Sequence, residues 1–180
     1  SHQITIQNTY ISFLAFFAFC LIASSGYIVN DLLDLKVDRS HPYNKFRPFA
    51  SGALSIKNGL IIFLILTLLG FLLSFFISIF FLFLILFYWL LSLFYSFKLK
   101  KIIILDIFVL GILYTLRIIG GSFATELKMS LWLLAFSIFF FVSLASVKRL
   151  SELVNLKDKN ISKIEGRGYY LKDLQSVKLI

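Results

Sequence analysis

The fold is decided by an almost unbroken apolar block at residues 58–97, which reads NGLIIFLILTLLGFLLSFFISIFFLFLILFYWLLSLFYSF. One helix needs about 20 apolar residues to cross a bilayer, and this block is twice that long. It therefore predicts two membrane-spanning helices, 58–77 and 78–97, joined by a turn near Ser74 to Ser78.

Three further apolar segments of spanning length flank this hairpin, at residues 10–29, 102–124 and 130–147. The whole chain is 59% hydrophobic and only 15% charged, with a mean hydropathy of +0.92, which is typical of a polytopic membrane protein. We expect an all-α, polytopic transmembrane helix bundle with about five spans, forming a single integral membrane domain over residues 1–180. A loop at 30–57 and a polar segment at 148–180 would lie outside the bilayer.

The basic residues predict how this bundle is oriented. Of 18 Lys and Arg, five lie in residues 36–57, three in 98–101 and eight after Val147, whereas the opposite connections contain only Lys128. Cytoplasmic loops carry an excess of Lys and Arg, so the loop at 30–57 should face the cytoplasm. Membrane orientation explains the net charge of +9 better than nucleic acid does, and no nucleic-acid partner is expected. The single cysteine, Cys20, excludes a disulfide framework and a thiolate zinc site.

The candidate chemistry lies in residues 30–52, NDLLDLKVDRSHPYNKFRPFASG. If the preceding helix continues, Asp31, Asp34 and Asp38 share one helical face with Asn30 at its edge. Three carboxylates on one face repel one another unless cations lie between them. Mg²⁺ prefers oxygen ligands and also binds substrate phosphates, so the pattern predicts a magnesium and diphosphate site.

Basic and imidazole side chains follow these aspartates at once, and such groups are suited to phosphate oxygens: Arg39, His41, Lys45 and Arg47. His41 and Arg47 each precede a proline, which favours extended backbone and predicts that the helix ends near Ser40. The alternative is an ordinary basic cytoplasmic loop with aspartates for solubility. Aspartates contribute little to membrane orientation, so that alternative leaves their helical register unexplained.

Two charged residues interrupt the fourth predicted span. Asp106 and Arg117 share a helical face but are roughly 16 Å apart along the axis, too far to pair. Charge inside the hydrocarbon region is unfavourable, so each needs another partner. For Arg117 that partner is a polar group on a neighbouring helix, an anionic lipid headgroup or a substrate phosphate. Asp106 could assist a metal site or pair with Lys100 or Lys101.

A further charged cluster, Lys148, Arg149 and Glu152, follows the fifth span. On a continuing helix Lys148 and Glu152 are an i, i+4 pair, which alone would be an ordinary solvated helix end. The cluster should emerge on the same side of the membrane as the aspartates, which makes it a candidate part of the same site.

The pattern Asn30-Asp31-x-x-Asp34-x-x-x-Asp38 resembles the first Asp-rich motif of the UbiA-type membrane prenyltransferase superfamily. Later residues of this chain resemble the parts of the superfamily pattern that follow this motif: Arg47-Pro48, Ser51-Gly52, Tyr95-Ser96, Lys100 and Asp106. The run from Asp38 to Pro48 is most similar to the decaprenyl-phosphate phosphoribosyltransferase branch, as are Leu116-Arg117, Gly120-Gly121 and Lys148-Arg149-x-x-Glu152, which replaces a second Asp-rich motif.

This resemblance covers residues 10–155. Asn44 departs from it, because that branch is expected to carry a basic residue there, a place that Lys45 could fill. The superfamily also has a helix before the first span and others after the fifth, so we expect a partial chain.

The resemblance implies a helix bundle around a cavity that opens to the cytoplasm. It implies Mg²⁺-dependent transfer of a 5-phosphoribosyl group from phosphoribosyl pyrophosphate, the diphosphate donor, to a polyprenyl phosphate. Asp31, Asp34 and Asp38 would be the catalytic metal ligands. The substrate-binding residues would be Asn30, Arg39, His41, Lys45, Arg47, Lys100, Arg117, Lys148, Arg149 and Glu152.

Two alternatives remain open at this stage. One is a UbiA-type prenyltransferase that alkylates an aromatic acceptor with a prenyl diphosphate. The other is a noncatalytic membrane scaffold or transporter half, in which the charges line a pathway or dock a partner.

Overall fold

A computed structural model describes residues 5–41, 43–158 and 166–178, and these ranges contain seven α-helices and three short 3₁₀ helices. Five are long: α1 (Ile6–Leu33), α3 (Ile56–Ile77), α4 (Ile79–Phe97), α5 (Leu105–Thr125) and α6 (Leu131–Asp158). Two are short: α2 (Leu35–Ser40) and α7 (Leu174–Lys178). The five long helices are each long and apolar enough to cross a membrane, which confirms the prediction of an all-α bundle with five spans.

Hydroxyl side chains cap the starts of three long helices, α1, α3 and α4. Thr5 and Ser55 accept hydrogen bonds from the backbone N–H groups three residues on, at the starts of α1 and α3. Ser78 alone separates α3 from α4, and its hydroxyl oxygen accepts from the N–H of Phe81 at 3.0 Å. A side-chain acceptor at this position satisfies an N–H that the helix leaves without a partner. The hairpin turn is therefore tighter than the predicted Ser74 to Ser78, and Ser74 stays inside α3.

The main core lies where α1 packs against α3, α4 and α5. Its centre is fully buried apolar side chains, among them Ile22 of α1 and Phe81 and Ile85 of α4. Small residues allow the close approach of helices. A Cβ at Gly26 would meet the side chain of Ser92 on α4, so the lack of a side chain lets α1 and α4 touch.

The outer surface of the bundle is strongly apolar. Leu68, Phe76, Phe80 and Phe83 are each more than 60% exposed. Soluble monomers rarely carry such continuous apolar surface, whereas hydrocarbon tails solvate it without penalty. These side chains are therefore the lipid-facing surface of a membrane protein.

A second core lies at one end of the bundle and involves residues 166–178, which we call the return segment. Tyr169 and Val177 of this segment pack with Ile107 of α5 and with Ala145 and Leu153 of α6. All five side chains are at most 5% exposed. The return segment is thereby held against α5 and α6, at the end where the Asp-rich loop lies.

Candidate active site

The Asp-rich stretch contains a helix break that the sequence pattern did not predict. α1 ends at Leu33 and α2 begins at Leu35, with Asp34 between them at φ −89° and ψ 1°. The N–H of Asp38 still donates to the carbonyl oxygen of Asp34 at 2.8 Å. This bond keeps Asp38 one turn beyond Asp34, although the helix axis is interrupted. As predicted, α2 ends at Ser40.

Arg47 joins two of the three aspartates. Its Nη1 donates to Oδ1 of Asp31 at 3.3 Å and to Oδ2 of Asp38 at 2.9 Å. Asp38 is buried, and its other oxygen accepts from Nδ2 of Asn44 at 2.9 Å. A single guanidinium nitrogen thus occupies the space between two carboxylates. Asn44, which was only a departure from the family pattern, proves to orient Asp38.

Lys100 binds the third aspartate from the α4–α5 connection. Its Nζ donates to Oδ1 of Asp34 at 2.7 Å and to Oδ1 of Asn30 at 3.0 Å. The Lys100 side chain is 3% exposed. Burial lowers the pKa of Lys100, and the hydrogen bond and negative charge of Asp34 oppose that shift. The predicted Asp-rich site therefore includes Lys100, which lies 66 residues from Asp34 in sequence.

The loop after α2 has the shape that its prolines predict. His41 and Arg47 both have extended backbone, with ψ of 134° and 148°. The Nδ1 atom of His41 accepts from the N–H groups of Tyr43 and Asn44, each at 3.3 Å. An accepting Nδ1 is unprotonated, which places the proton of a neutral imidazole on Nε2. His41 thereby shapes the loop that delivers Asn44 to Asp38.

A second charged cluster lies beside the first and is centred on Asp106, which is fully buried. Its carboxylate accepts from Nε and Nη2 of Arg149, the latter at 3.2 Å, and from the hydroxyl of Tyr95 at 2.6 Å. Arg149 is also fully buried and donates to Glu152 at 2.7 Å. Asp106 therefore pairs with α6, not with Lys100 or Lys101. Glu152 likewise pairs with Arg149 at i, i+3, and not with Lys148.

Arg167 of the return segment completes this cluster. Its Nη1 lies 3.3 Å from Oδ1 of Asp106, and its Nε lies 3.9 Å from Glu152. The side chain is 23% exposed, whereas that of Arg149 is 1% exposed. Sequence reasoning missed Arg167 because the return segment carries no periodic pattern. Its only signal was the excess of basic residues on that side of the membrane.

Three other predicted substrate-binding residues lie outside these two clusters. Arg39 is exposed and lines an open surface depression with Leu32 and Lys36. Lys45 lies over the ring of Phe46 at 5.2 Å, and Lys148 is exposed. None of the three forms an ion pair with a residue that the structure describes.

Arg117 lies deeper, among aromatic rings. Its Nη2 donates to the hydroxyl of Tyr88 at 2.9 Å, and its guanidinium lies 5.1 Å from the ring centre of Tyr114. It also lines a cavity of about 230 Å³ between α1 and α5. The sequence left three kinds of partner open for Arg117. In the structure its partner is a polar group on a neighbouring helix, the hydroxyl of Tyr88 on α4.

The carboxylate oxygens of this site are the kind of ligand that a hard divalent cation prefers, but they do not form a closed ligand shell. In the described parts of the chain, no three Asp, Glu, His or Cys side chains converge on one point. Asp31 and Asp38 nevertheless face each other across one Arg47 nitrogen. Mg²⁺ commonly uses one or two carboxylates and keeps waters or phosphates as its other ligands, so two carboxylates across one cation match that requirement.

The fold and site together define a polytopic membrane protein with two adjoining clusters of paired acidic and basic side chains at one end of its bundle. The sequence profile of the UbiA prenyltransferase family matches residues 5–163. The chain belongs to the UbiA prenyltransferase family.

The relatives agree with this assignment. The chain is 42% identical over 167 residues to the nodulation protein NoeC of Azorhizobium caulinodans, which covers 93% of the chain and 54% of that protein. It is 32% identical over 140 residues to the decaprenyl-phosphate phosphoribosyltransferase of Mycolicibacterium smegmatis, covering 78% of the chain and 44% of that protein. The chain thus spans about half the length of these curated relatives.

Its fold is similar to that of a UbiA homologue from Archaeoglobus fulgidus, whose structure was solved with GPP and Mg²⁺ bound. The TM-score is 0.77 at 15% identity, and the match covers 97% of this chain and 61% of that one. This similarity supports the helical architecture.

Proposed function

We propose that the protein transfers a 5-phosphoribosyl group from phosphoribosyl pyrophosphate to a polyprenyl phosphate, in a Mg²⁺-dependent reaction at a site that faces the cytoplasm. The observation that carries this proposal is the cluster of Asp106, Arg149 and Arg167. The family resemblance implies that prenyltransferases carry a second set of metal-binding aspartates at this place. In this chain the cluster instead supplies two guanidinium groups. Decaprenyl-phosphate phosphoribosyltransferases from four strains are 31–34% identical to this chain, which supports the same choice.

The Asp-rich cluster would hold the donor. Asp31, Asp34 and Asp38 would bind Mg²⁺, which when bound neutralises negative charge on the diphosphate. Arg47 lies between Asp31 and Asp38, and Lys100 binds Asp34, so the two cations would offset the mutual repulsion of the carboxylates before the donor binds. Both cations could then turn to the anionic oxygens of the donor, because an arginine or lysine can exchange a carboxylate for a phosphate partner.

The exposed basic residues of the loop would complete the donor site. His41, through Nε2, and Lys45 and Arg39 would contact the diphosphate or the 5-phosphate. This side of the loop would also set specificity, since a sugar 5-phosphate adds a second anionic group that a prenyl chain lacks.

The second cluster would receive the acceptor phosphate. Arg149 is buried and donates hydrogen bonds to Asp106 and Glu152, so it would stay in place as the fixed cation of the cluster. The exposed groups of Arg167 and Lys148 would contact the lipid phosphate directly, and Arg117 would lie deeper along the lipid. An oxygen of that phosphate forms the new bond to the anomeric carbon, and the bond from that carbon to the diphosphate oxygen breaks. The electron pair leaves with the diphosphate.

The test is a membrane assay of the protein expressed from its complete gene, with Mg²⁺. Labelled phosphoribosyl pyrophosphate plus polyprenyl phosphate is compared with labelled prenyl diphosphate plus 4-hydroxybenzoate. We expect label from the first pair in a lipid that mild acid cleaves. Label in the aromatic product instead would identify an aromatic prenyltransferase, and neither product would favour a scaffold or transporter.

Matched variants show whether the Asp-rich cluster is responsible. Asp38→Asn should abolish the transfer because it removes a carboxylate that is buried at the site. Glu126→Gln removes an exposed carboxylate from the opposite end of α5 and should leave the rate unchanged. Equal rates for the two variants would contradict the assignment.

A further inference from the structure

A strained turn directly precedes the buried carboxylate of Asp106. Ile104 has φ 69° and ψ −49°, and the N–H of Leu105 donates to the carbonyl oxygen of Ile103 at 2.8 Å. These values define a γ-turn with positive φ, which is rare and strained. A β-branched residue is especially unfavourable there, so the turn needs support from its surroundings.

Tyr169 of the return segment provides a contact that supports the turn. Its hydroxyl oxygen accepts from the N–H of Ile104 at 3.1 Å, and its side chain is fully buried. Burial raises the pKa of Tyr169, and the nearby negative charge of Asp106 raises it further. The hydroxyl therefore stays neutral at physiological pH and adds no second negative charge beside Asp106.

Two glycines let the return segment approach this closely. A Cβ at Gly168 would overlap the carbonyl oxygen of Lys101, one turn before Ile104. Gly166 has φ +78°, in the region that favours glycine, and a Cβ there would lie 3.7 Å from Oδ1 of Asp34. The segment thus touches both charged clusters, and the backbone at these two positions requires glycine.

We propose that Tyr169 is a positioning residue of this site: it holds the γ-turn at Ile104 closed and so aims Asp106 at Arg149 and Arg167. Asp106 is the second residue after Ile104 and lies in the first turn of α5. A change in the turn would rotate its carboxylate away from the two guanidiniums. Only the effect of Tyr169 on turnover depends on the proposed function.

The first test needs no substrate. Amide hydrogen exchange is measured at single-residue resolution on the protein from its complete gene in lipid nanodiscs, for Tyr169→Phe and for the control Tyr10→Phe, whose side chain is exposed on α1. Losing one hydrogen bond should speed exchange at Ile104 by about five- to tenfold, with α3 unchanged. Unchanged exchange at Ile104, or equal acceleration in the control, would overturn the proposal.

The second test separates positioning from binding in the phosphoribosyl assay. Tyr169→Phe should lower kcat about tenfold and leave the KM for the donor unchanged, because the Asp-rich cluster stays intact. A raised KM for the donor with unchanged kcat would overturn the positioning role. Absence of transfer by the wild-type protein would refute the proposed function instead, and the exchange result would still decide the role of Tyr169.

A second variant guards against misfolding of Tyr169→Phe. Gly168→Ala pushes the return segment away from the carbonyl of Lys101 and keeps the tyrosine hydroxyl. It should also speed exchange at Ile104, since the segment can no longer reach the turn. Normal exchange in this variant would show that the turn holds without the segment, contrary to the proposal.

Discussion

Replacing Asp106 by asparagine tests how strongly the second cluster depends on one buried charge. Both Asp106 and Arg149 are fully buried, and Arg149 makes two hydrogen bonds to this carboxylate. Removing one partner of a buried ion pair destabilises a protein by about 3–5 kcal/mol, because the other charge stays buried without compensation. Glu152 accepts from Arg149 at 2.7 Å and would stay as its partner, so the loss in unfolding free energy should be near the lower value, about 3 kcal/mol.

The assay is reversible unfolding of the detergent-solubilised protein by a denaturing detergent, followed by tryptophan fluorescence. Asp106→Asn is compared with Glu126→Gln, which removes an exposed carboxylate and should change stability by about 0.5 kcal/mol or less. The double variant Asp106→Asn with Arg149→Gln should lose about 2 kcal/mol less than the sum of the single variants, because contacting residues are not additive.

The reasoning would be refuted by an Asp106→Asn protein whose unfolding free energy matches that of the wild type. Additive single variants would also refute it, since they would mean that the two side chains do not interact in the folded protein. Either result would remove the basis for treating Arg149 as the fixed part of the acceptor site.

Two further predictions concern the first cluster. Asn44→Ala should raise the Mg²⁺ concentration needed for half-maximal activity by about tenfold, because residues that orient metal ligands are worth 10–100-fold in affinity, and Asn58→Ala on α3 should not. Burial depresses the pKa of Lys100 in the folded protein below its usual 10.5. At pH values between the folded-state pKa and the unfolded-state pKa, the unfolded chain therefore binds more protons than the folded protein. The unfolding free energy should rise with pH across this range. Lys100→Met should show a smaller rise than the wild type in alkaline unfolding titrations, and an equal rise would exclude Lys100 as its source.

The five spans were predictable because each depends only on a local run of apolar residues. The loop shape was predictable for a similar reason, since a proline restricts the residue immediately before it. Local spacing also predicted that Asp31, Asp34 and Asp38 lie on one face, and the structure adds that Asp31 and Asp38 share Arg47.

The partners of the charged residues were not predictable from local rules. Asp106 could have paired with the nearby Lys100, yet its partners are Arg149 and Arg167, 43 and 61 residues away. Such pairs depend on how helices pack and on where the return segment lies. Hydropathy and spacing carry no information about either.

The break at Asp34 shows a second limit. Periodicity correctly placed the aspartates about one turn apart, but it described them as one continuous helix. The interruption lets Asp34 turn toward Lys100 while Asp38 turns toward Arg47. A helix pattern cannot show this division, because both arrangements satisfy the same spacing.

The one-residue connection at Ser78 has a consequence for how the chain enters the membrane during synthesis. Lys57 and Lys98 lie at the two far ends of the α3–α4 hairpin, and no charged residue lies between them. The two helices can therefore insert together as a hairpin, with both lysines remaining on the same side of the membrane. The tip that has to reach the opposite surface is the short turn at Ser78, so insertion of this hairpin, about a quarter of the protein, requires no charge to cross the lipid.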